Sequence, residues 1–151
     1  MSSIEKAIQQ PRFQSPHHRA HVNIVFTSSW LNQLTVNALK PSGLSLQQFN
    51  ILRILKGRGD QPSTIKLLTE RMLDKMSNAS RLVDKLREKG YVERKECASD
   101  RRRVDILITE AGLEAVNTAS IAVDNTRKDI FGSLSDDEAD QLSYLLDQLR
   151  S

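Results

Sequence analysis

The sequence predicts a mainly α-helical fold with a small β-hairpin, arranged as a winged helix-turn-helix with long N- and C-terminal helices. Residues 77–90 have the pattern of an amphipathic helix, because Ala79, Leu82, Val83 and Leu86 fall on one stripe at 3.6 residues per turn. A short helical segment precedes this stretch, and a basic segment with two-residue alternation follows it. Two short helices joined by about three or four residues are typical of the helix-turn-helix, and the hairpin that follows would be its wing.

The first 40 residues predict an arm followed by one long helix. Pro11 and Pro16 interrupt residues 1–16, so this segment is expected to be an arm or a short helical turn. Residues 17–40 carry apolar side chains on more than one side, over a helix about 36 Å long. Because such a helix needs burial on several faces, we expect one face on its own chain and another on a second subunit.

Local signals divide the middle of the chain into short helices. Pro41-Ser42-Gly43 ends the long helix, and Ser45–Gln48 fits a capping box that starts the next one, which Gly57 is expected to end. A short helix over residues 64–73 and a turn at 74–76 follow. Ser77 is the expected N-cap of the next helix, with Gly90 just past its C-terminus.

After Gly90 the hydrophobic period changes from 3.6 to 2. Residues 91–94 and 103–109 read as two strands, and the polar residues 95–102 read as the loop between them. Thr109 is the expected cap of a further helix, and Ser135–Glu138 forms a capping box for the last one.

The distribution of charge is more informative than the net value of +3. Residues 75–103 carry ten Lys and Arg against five acids, whereas residues 110–151 carry three against nine. A basic centre beside an acidic tail indicates a polyanion held at one face of the molecule. A solvated surface of mixed charge is the alternative.

Several classes of protein are disfavoured. No apolar run reaches the roughly 18 residues of a membrane span, and the N-terminus lacks a signal-peptide pattern. The single Cys97 forms neither an internal disulfide nor a cysteine zinc site, which favours a cytoplasmic location. No catalytic motif is present, and helix capping explains the paired acids Asp136 and Asp137. We therefore expect that the protein is not an enzyme and that it has neither a cofactor nor a metal site.

The residues that would contact double-stranded DNA fall in two groups. The N-terminal residues of a recognition helix meet base edges in the major groove, where Asn pairs with adenine and Arg with guanine. Basic residues at a hairpin tip reach a narrow minor groove. Lys75, Lys85 and Lys89 suit phosphates, Asp84 would orient Arg81 or Lys85, and Asp100 would fold the tip by accepting backbone hydrogen bonds or by pairing with an arginine. The predicted DNA-binding residues are Ser63, Thr64, Lys75, Ser77, Asn78, Ser80, Arg81, Lys85, Arg101, Arg102 and Arg103, with Ser63 and Thr64 offering backbone N–H groups.

The segment SNASRLVDKLREKGYVERK, followed by SDRRRVDILITEAG, resembles the winged helix-turn-helix of the MarR family of bacterial transcription regulators. The family pattern L-x-x-K/R-G-hydrophobic-V-x-R is met by residues 86–94, and the wing pattern is met by Asp100, Arg102, Thr109 and Gly112. These motifs cover residues 63–112. Ile108, where Leu is usual, is a conservative departure.

The resemblance implies a homodimeric, ligand-responsive repressor that binds a pseudo-palindromic operator. It divides the chain into an arm and dimerisation helix (1–40), a DNA-binding domain (41–112) and C-terminal dimerisation helices (113–151). Half-sites about one helical turn apart are expected. An effector would change the spacing of the two recognition helices.

The effector is expected to be a small apolar or aromatic molecule in a crevice among the helices at 17–40, 45–56 and 113–130. His21, Val25, Phe26 and Phe49 are the suggested walls, although the same residues suit a plain core. His17, His18 and His21 are read as a polar helix start rather than a metal site. Two further alternatives stay open. One is a redox-responsive regulator whose Cys97 has its pKa lowered by neighbouring cations, and the other is a sequence-tolerant architectural DNA-binding protein.

Overall fold

The computed structural model describes residues 3–151, except for the side chain of Arg101. Over this range the chain contains α-helices, a 3-10 turn at Lys40–Ser42 and one antiparallel hairpin. The helices and strands are, in order, α1 (Ile4–Ala7), α2 (Pro16–Leu39), α3 (Leu46–Arg58), α4 (Ile65–Arg71), α5 (Ala79–Glu88), β1 (Val92–Cys97), β2 (Asp100–Ile108), α6 (Glu110–Phe131) and α7 (Asp136–Gln148). The predicted fold class, a mainly helical winged helix-turn-helix, is confirmed.

The chain divides into two compact units, Met1–Asn37 and Ala38–Ser151. In the first unit, α1 is the short helical turn expected of the N-terminal arm, and the long helix predicted from residue 17 begins at Pro16. Arg19 Nε donates to Glu5 Oε1 over 2.6 Å, which lowers the pKa of Glu5 to about 2. This ion pair joins α1 to the first turn of α2.

The hydrophobic core of the second unit is built from the faces that the periodicity predicts. Helices α3, α5 and α6 and both strands contribute fully buried side chains, with Leu68 and Met72 added from α4 and its C-cap. The core side chains with no measurable exposure include Leu39, Ile51, Leu52, Leu68, Val83, Leu86, Ile106 and Val116. Packing of α5 against α3, α4 and β1 fixes the helix expected to read DNA.

Three predicted boundaries were wrong: the end of α3, the end of β1 and the start of β2. Helix α3 continues through Gly57 to Arg58, and Gly59, with φ of 57°, ends it instead. Both predicted strands are longer than the periodicity suggested: β1 runs to Cys97, and β2 starts at Asp100. The predicted loop 95–102 is therefore mostly strand, and only residues 98–99 connect the two strands.

A cluster of backbone contacts fixes the base of the hairpin to the helices on both sides. Gly90, with φ of 77°, ends α5 in a Schellman motif, in which Tyr91 N–H donates to Leu86 and Gly90 N–H to Arg87. Thr109, the predicted cap of α6, accepts from Gly112 N–H and donates its hydroxyl to the Gly90 carbonyl over 2.6 Å. The end of α5, the start of β1 and the start of α6 thus share one junction.

None of the helices within residues 3–151 combines the length and the apolar character that crossing a membrane requires.

Candidate nucleic-acid interface

The turn between α4 and α5 is held by an aspartate that the sequence reading did not single out. Asp74 Oδ1 accepts from Met76 N–H over 3.0 Å, and the Asp74 carbonyl accepts from Ser77 N–H. The Met76 N–H, the Ser77 side chain and the Gln47 side chain on α3 lower the pKa of Asp74, in that order of importance. An Asp at the head of a turn is the signal that would have identified it. The carboxylate fixes where α5 begins.

Asn78, not Ser77, is the N-cap of α5. Asn78 Oδ1 accepts from Arg81 N–H over 3.0 Å, while Ser77 Oγ is shielded from solvent. The prediction of Ser77 as a base-contacting residue is therefore corrected, because its hydroxyl faces inward beside Asp74. Asn78 itself is exposed and keeps its side-chain amide N–H₂ group for a further partner.

The outer face of α5 presents polar and basic side chains to solvent. Ser80, Arg81 and Lys85 are exposed, as a major-groove helix requires. Lys85 Nζ lies 3.0 Å from Glu88 Oε2, an exposed pair on the same helix that leaves Lys85 free to turn toward a phosphate.

Asp84 has a different partner from the two that were expected. Its Oδ1 atom lies 2.8 Å from Arg94 Nη2, which belongs to β1, and neither Arg81 nor Lys85 is its ion-pair partner. Arg94 is the more buried of the pair, and its Nε is shielded from solvent. The pair joins the recognition helix to the wing. Its two residues are too far apart in sequence for a local sequence pattern to predict the contact.

The wing carries its arginines in an irregular part of β2. Cys97 pairs with Asp100 and Glu96 pairs with Val104, so the three arginines at 101–103 bulge from the ladder. Asp100 Oδ1 accepts from Arg102 N–H over 3.0 Å, which is the folding role predicted for Asp100 by backbone hydrogen bonding. Arg102 is exposed, and the side chain of Arg101 lies outside the described part of the structure.

Arg103, the third predicted contact in the wing, is engaged within the hairpin. Arg103 Nε donates to Asp105 Oδ1 over 2.7 Å, and Asp105 is mostly buried. This pair raises the pKa of Arg103 and holds its guanidinium along the strand. Arg102 is consequently the described wing arginine best placed to leave the protein surface.

The remaining residues predicted to contact phosphates already have partners within the protein. Ser63 is fully buried, and its N–H and C=O both bond to Ile106, over 3.0 and 2.7 Å, so its predicted phosphate contact is wrong. Thr64 caps α4 by accepting from Leu67 N–H over 3.2 Å. Lys75 Nζ donates to the Glu70 carbonyl, and Lys89 Nζ donates to the Gly43 carbonyl over 3.2 Å.

Cys97 lies at the end of β1, half-buried, with its Sγ 3.1 Å from Ser99 Oγ. Hydrogen bonds from the Ser99 side chain, and then from the Ser99 and Asp100 backbone, lower the pKa of the Cys97 thiol. The expected cause was the neighbouring cations, and this attribution is corrected. The direction of the shift is the one that was predicted.

The suggested effector residues fall into two environments. His21, Val25 and Phe26 are exposed on α2, where Val25 lines a surface depression with Ser28 and Asn32. Phe49 is a core residue of the second unit, only 5% exposed, with the Arg53 guanidinium 5.8 Å from its ring centroid. Phe49 thus matches the plain-core alternative.

Comparison with known proteins agrees with this arrangement. Residues 42–103 match the model of the MarR family. The structure of the organohalide-sensing RdhR-CbdbA1625 transcriptional regulator in its 2,4-dichlorophenol-bound form is similar, with 24% identity and a TM-score of 0.79 over 91% of this chain and 86% of that one. AbsC, a MarR-family regulator from Streptomyces coelicolor, matches with 22% identity and a TM-score of 0.79 over 92% of this chain and 95% of that one.

A third similar structure is CouR from Rhodococcus jostii RHA1 bound to p-coumaroyl-CoA, with 23% identity and a TM-score of 0.75 over 91% of this chain and 95% of that one. At these identities the structural likenesses establish the fold. An α5 capped at its exposed end, followed by a basic hairpin, defines the class of winged helix-turn-helix DNA-binding regulators. Within that class, residues 42–103 match the MarR family, so the chain resembles that family over its DNA-binding segment.

Proposed function

We propose that the protein is a homodimeric, ligand-responsive repressor that recognises a pseudo-palindromic operator in double-stranded DNA. The observation that carries this proposal is the exposed face of α5 with Asn78, Ser80, Arg81 and Lys85, which the basic hairpin follows directly in the chain. A major-groove helix flanked by a minor-groove hairpin can read both grooves of one half-site. Two copies related by a two-fold axis would then read two half-sites.

The roles of the contacting side chains follow from their chemistry. Arg81 suits guanine, and Asn78 offers adenine its amide donors, together with the second lone pair of its capping oxygen. Ser80 suits either base. Lys75 and Lys85 suit phosphates, as does the backbone N–H of Thr64, and Arg102 suits the minor groove. Lys75 would exchange its bond to the Glu70 carbonyl for a phosphate contact.

Exposed apolar faces on the terminal helices support a homodimer. Helix α2 exposes Val25, Phe26 and Trp30, and α7 exposes Leu142 and Leu145. Several large apolar side chains exposed on the same helices are typical of surfaces that another subunit covers. Residues 1–40 and 113–151 are accordingly proposed as dimerisation segments around a DNA-binding segment, 41–112.

A small apolar or aromatic effector is the proposed signal. The similar structures were solved with 2,4-dichlorophenol and with p-coumaroyl-CoA, which both contain a phenol ring. His21, Val25 and Phe26 on α2 offer a matching surface of aromatic, apolar and hydrogen-bonding groups. The effector would act by favouring a dimer whose recognition helices no longer match the spacing of the half-sites.

A second candidate function is redox regulation through Cys97. The observation that favours it is the position of the thiol at the end of β1, separated by two residues from the strand that carries the wing arginines, with a pKa lowered by Ser99. Because thiolate is the form that reacts, oxidation would add a bulky or charged group at the wing. Cys97→Ser separates the two functions, since it would abolish a response to oxidants and leave a response to phenols intact.

The test is a gel-shift titration with the DNA upstream of the protein's own coding sequence and with random DNA of equal length. A regulator binds the first at least about a thousandfold more tightly at physiological salt. A ratio near one would indicate an architectural DNA-binding protein instead. Adding 2,4-dichlorophenol or a p-coumaroyl thioester should release the specific complex, and unchanged binding with a wide panel of phenols would contradict the effector class.

A further inference from the structure

Two large apolar side chains in the turn before α5 are almost fully exposed. Met76 is 93% exposed and Leu73 is 87% exposed, the highest values among the large hydrophobic residues within residues 3–151. Met72, which precedes them, is only 1% exposed, so this segment buries one large apolar side chain and leaves two in solvent. Two large apolar side chains are therefore exposed within four residues, next to a helix whose outer face carries polar and basic groups.

The local backbone makes Met76 project outward beside the N-cap of α5. Ser77 Oγ faces inward, whereas Met76 before it and Asn78 after it are exposed. The Asp74 carboxylate fixes this arrangement through the Met76 N–H. Met76 therefore precedes, by two residues, the side chain that caps the recognition helix, at the end that enters the major groove.

We propose that Met76 is a specificity-determining residue that contacts the 5-methyl group of a thymine in the major groove. The inference rests on the proposed operator binding and adds to it a contact that needs no hydrogen bond. The thymine methyl is the apolar group among the base edges of that groove, and it is read by apolar side chains. The flexible thioether side chain of Met76 reaches and adapts to such a group at small cost.

The test replaces thymine by uracil, which removes only the methyl group. The site is first selected from a random DNA pool with the wild-type protein, and each thymine of one half-site is then replaced singly by uracil. We expect one replacement to weaken wild-type binding about fourfold, the equivalent of burying one methyl group. The same replacement should not weaken binding of Met76→Ala, and it should still weaken binding of Met76→Leu.

Leu73→Ala is the matched control, because it shortens the other exposed apolar side chain of the same turn. Both side chains are exposed, so both variants are expected to keep the wild-type unfolding temperature. A uracil effect that persists in Met76→Ala, or that disappears in Leu73→Ala instead, would overturn the assignment. So would the absence of any uracil effect on a wild-type protein that binds its site tightly. Failure of the wild type to select any sequence would overturn the proposed function as well.

Discussion

Asn78 illustrates how one side chain can serve the fold and the proposed site together. Its side-chain carbonyl oxygen caps α5 at the Arg81 N–H, and the exposed side chain keeps its amide N–H₂ group at the end of the helix that would meet DNA. The residue type satisfies both needs, because the amide supplies an acceptor and donors on one short side chain. A substitution can therefore separate the two roles.

Asn78→Ser keeps a capping oxygen and removes the amide donors, whereas Asn78→Ala removes both. We expect Asn78→Ala to lower the free energy of unfolding by about 1 kcal/mol and Asn78→Ser to change it much less. Both variants should lose base preference at the same operator position, by about 1–3 kcal/mol. Thermal unfolding and a panel of single-base operator variants measure the two effects. Wild-type base preference in both variants would show that Asn78 is a cap alone.

Arg102→Ala should weaken operator binding and reduce the slope of log affinity against log salt by about one. Arg102 is exposed in the bulge of β2, with its backbone held by Asp100. Lys95→Ala is the control, because it removes a cation of the same hairpin that is paired with Glu93 at 2.8 Å. Equal affinity losses for the two variants would mean that the hairpin acts only through its net charge.

At the scale of elements, the ion pair of Asp84 with Arg94 joins the recognition helix to the wing. The two elements would enter different grooves of the same duplex, so their relative orientation matters for binding. Asp84 also brings a negative charge to a helix that should meet phosphates. Asp84 should therefore weaken DNA binding through its charge and strengthen it by positioning the wing.

Asp84→Asn tests which consequence is larger. If the pair positions the wing, the variant binds operator DNA more weakly, although it has lost a repelling charge. Glu88→Gln is the matched control, since it neutralises an acid that pairs with Lys85 of the same helix and not with the wing residue Arg94, and it should bind as tightly as the wild type or more tightly. Tighter binding by both variants to the same extent would contradict the positioning role.

Gly112 shows how closely α6 approaches the hairpin. A Cβ atom on Gly112 would lie 2.1 Å from the Tyr91 carbonyl oxygen, which already accepts from Thr109 N–H. Gly112→Ala should therefore lower the free energy of unfolding by about 1–3 kcal/mol. Gly57→Ala, in α3 with no atom within 4 Å of the added Cβ, should instead raise it by about 0.5–1 kcal/mol. Thermal unfolding of both variants gives the comparison, and a Gly112→Ala variant as stable as the wild type would contradict the close packing.

Capping signals and periodicity made the helical elements predictable, because both depend on residues close in sequence. The boxes at Ser45 and Ser135 and the cap at Thr109 start helices where they were expected. The burial of Ser63 and the partner of Asp84 were not predictable in this way, since each depends on a strand more than nine residues away. Ser77 and Asn78 are adjacent and both are good capping residues, so the sequence pattern does not decide between them. The turn held by Asp74 makes Asn78 the cap.

At the scale of the whole molecule, charge and exposed apolar area are distributed along the chain in the way a dimeric DNA-binding protein needs. The excess of Lys and Arg lies in the first two thirds of the sequence, and the acidic excess lies in residues 110–151. Long-range attraction to DNA would orient the basic surface toward the duplex and keep the acidic helices away from it. The exposed apolar side chains of α2 and α7 belong to the segments proposed for dimerisation.

Selection of bound sequences from a random DNA pool tests the central claim most directly. If two copies of the chain present their recognition helices to one duplex, the enriched sequences contain an inverted repeat with half-site centres about 10 base pairs, or one helical turn, apart. Enrichment of a single unrepeated half-site, or no enrichment over the starting pool, would contradict the account.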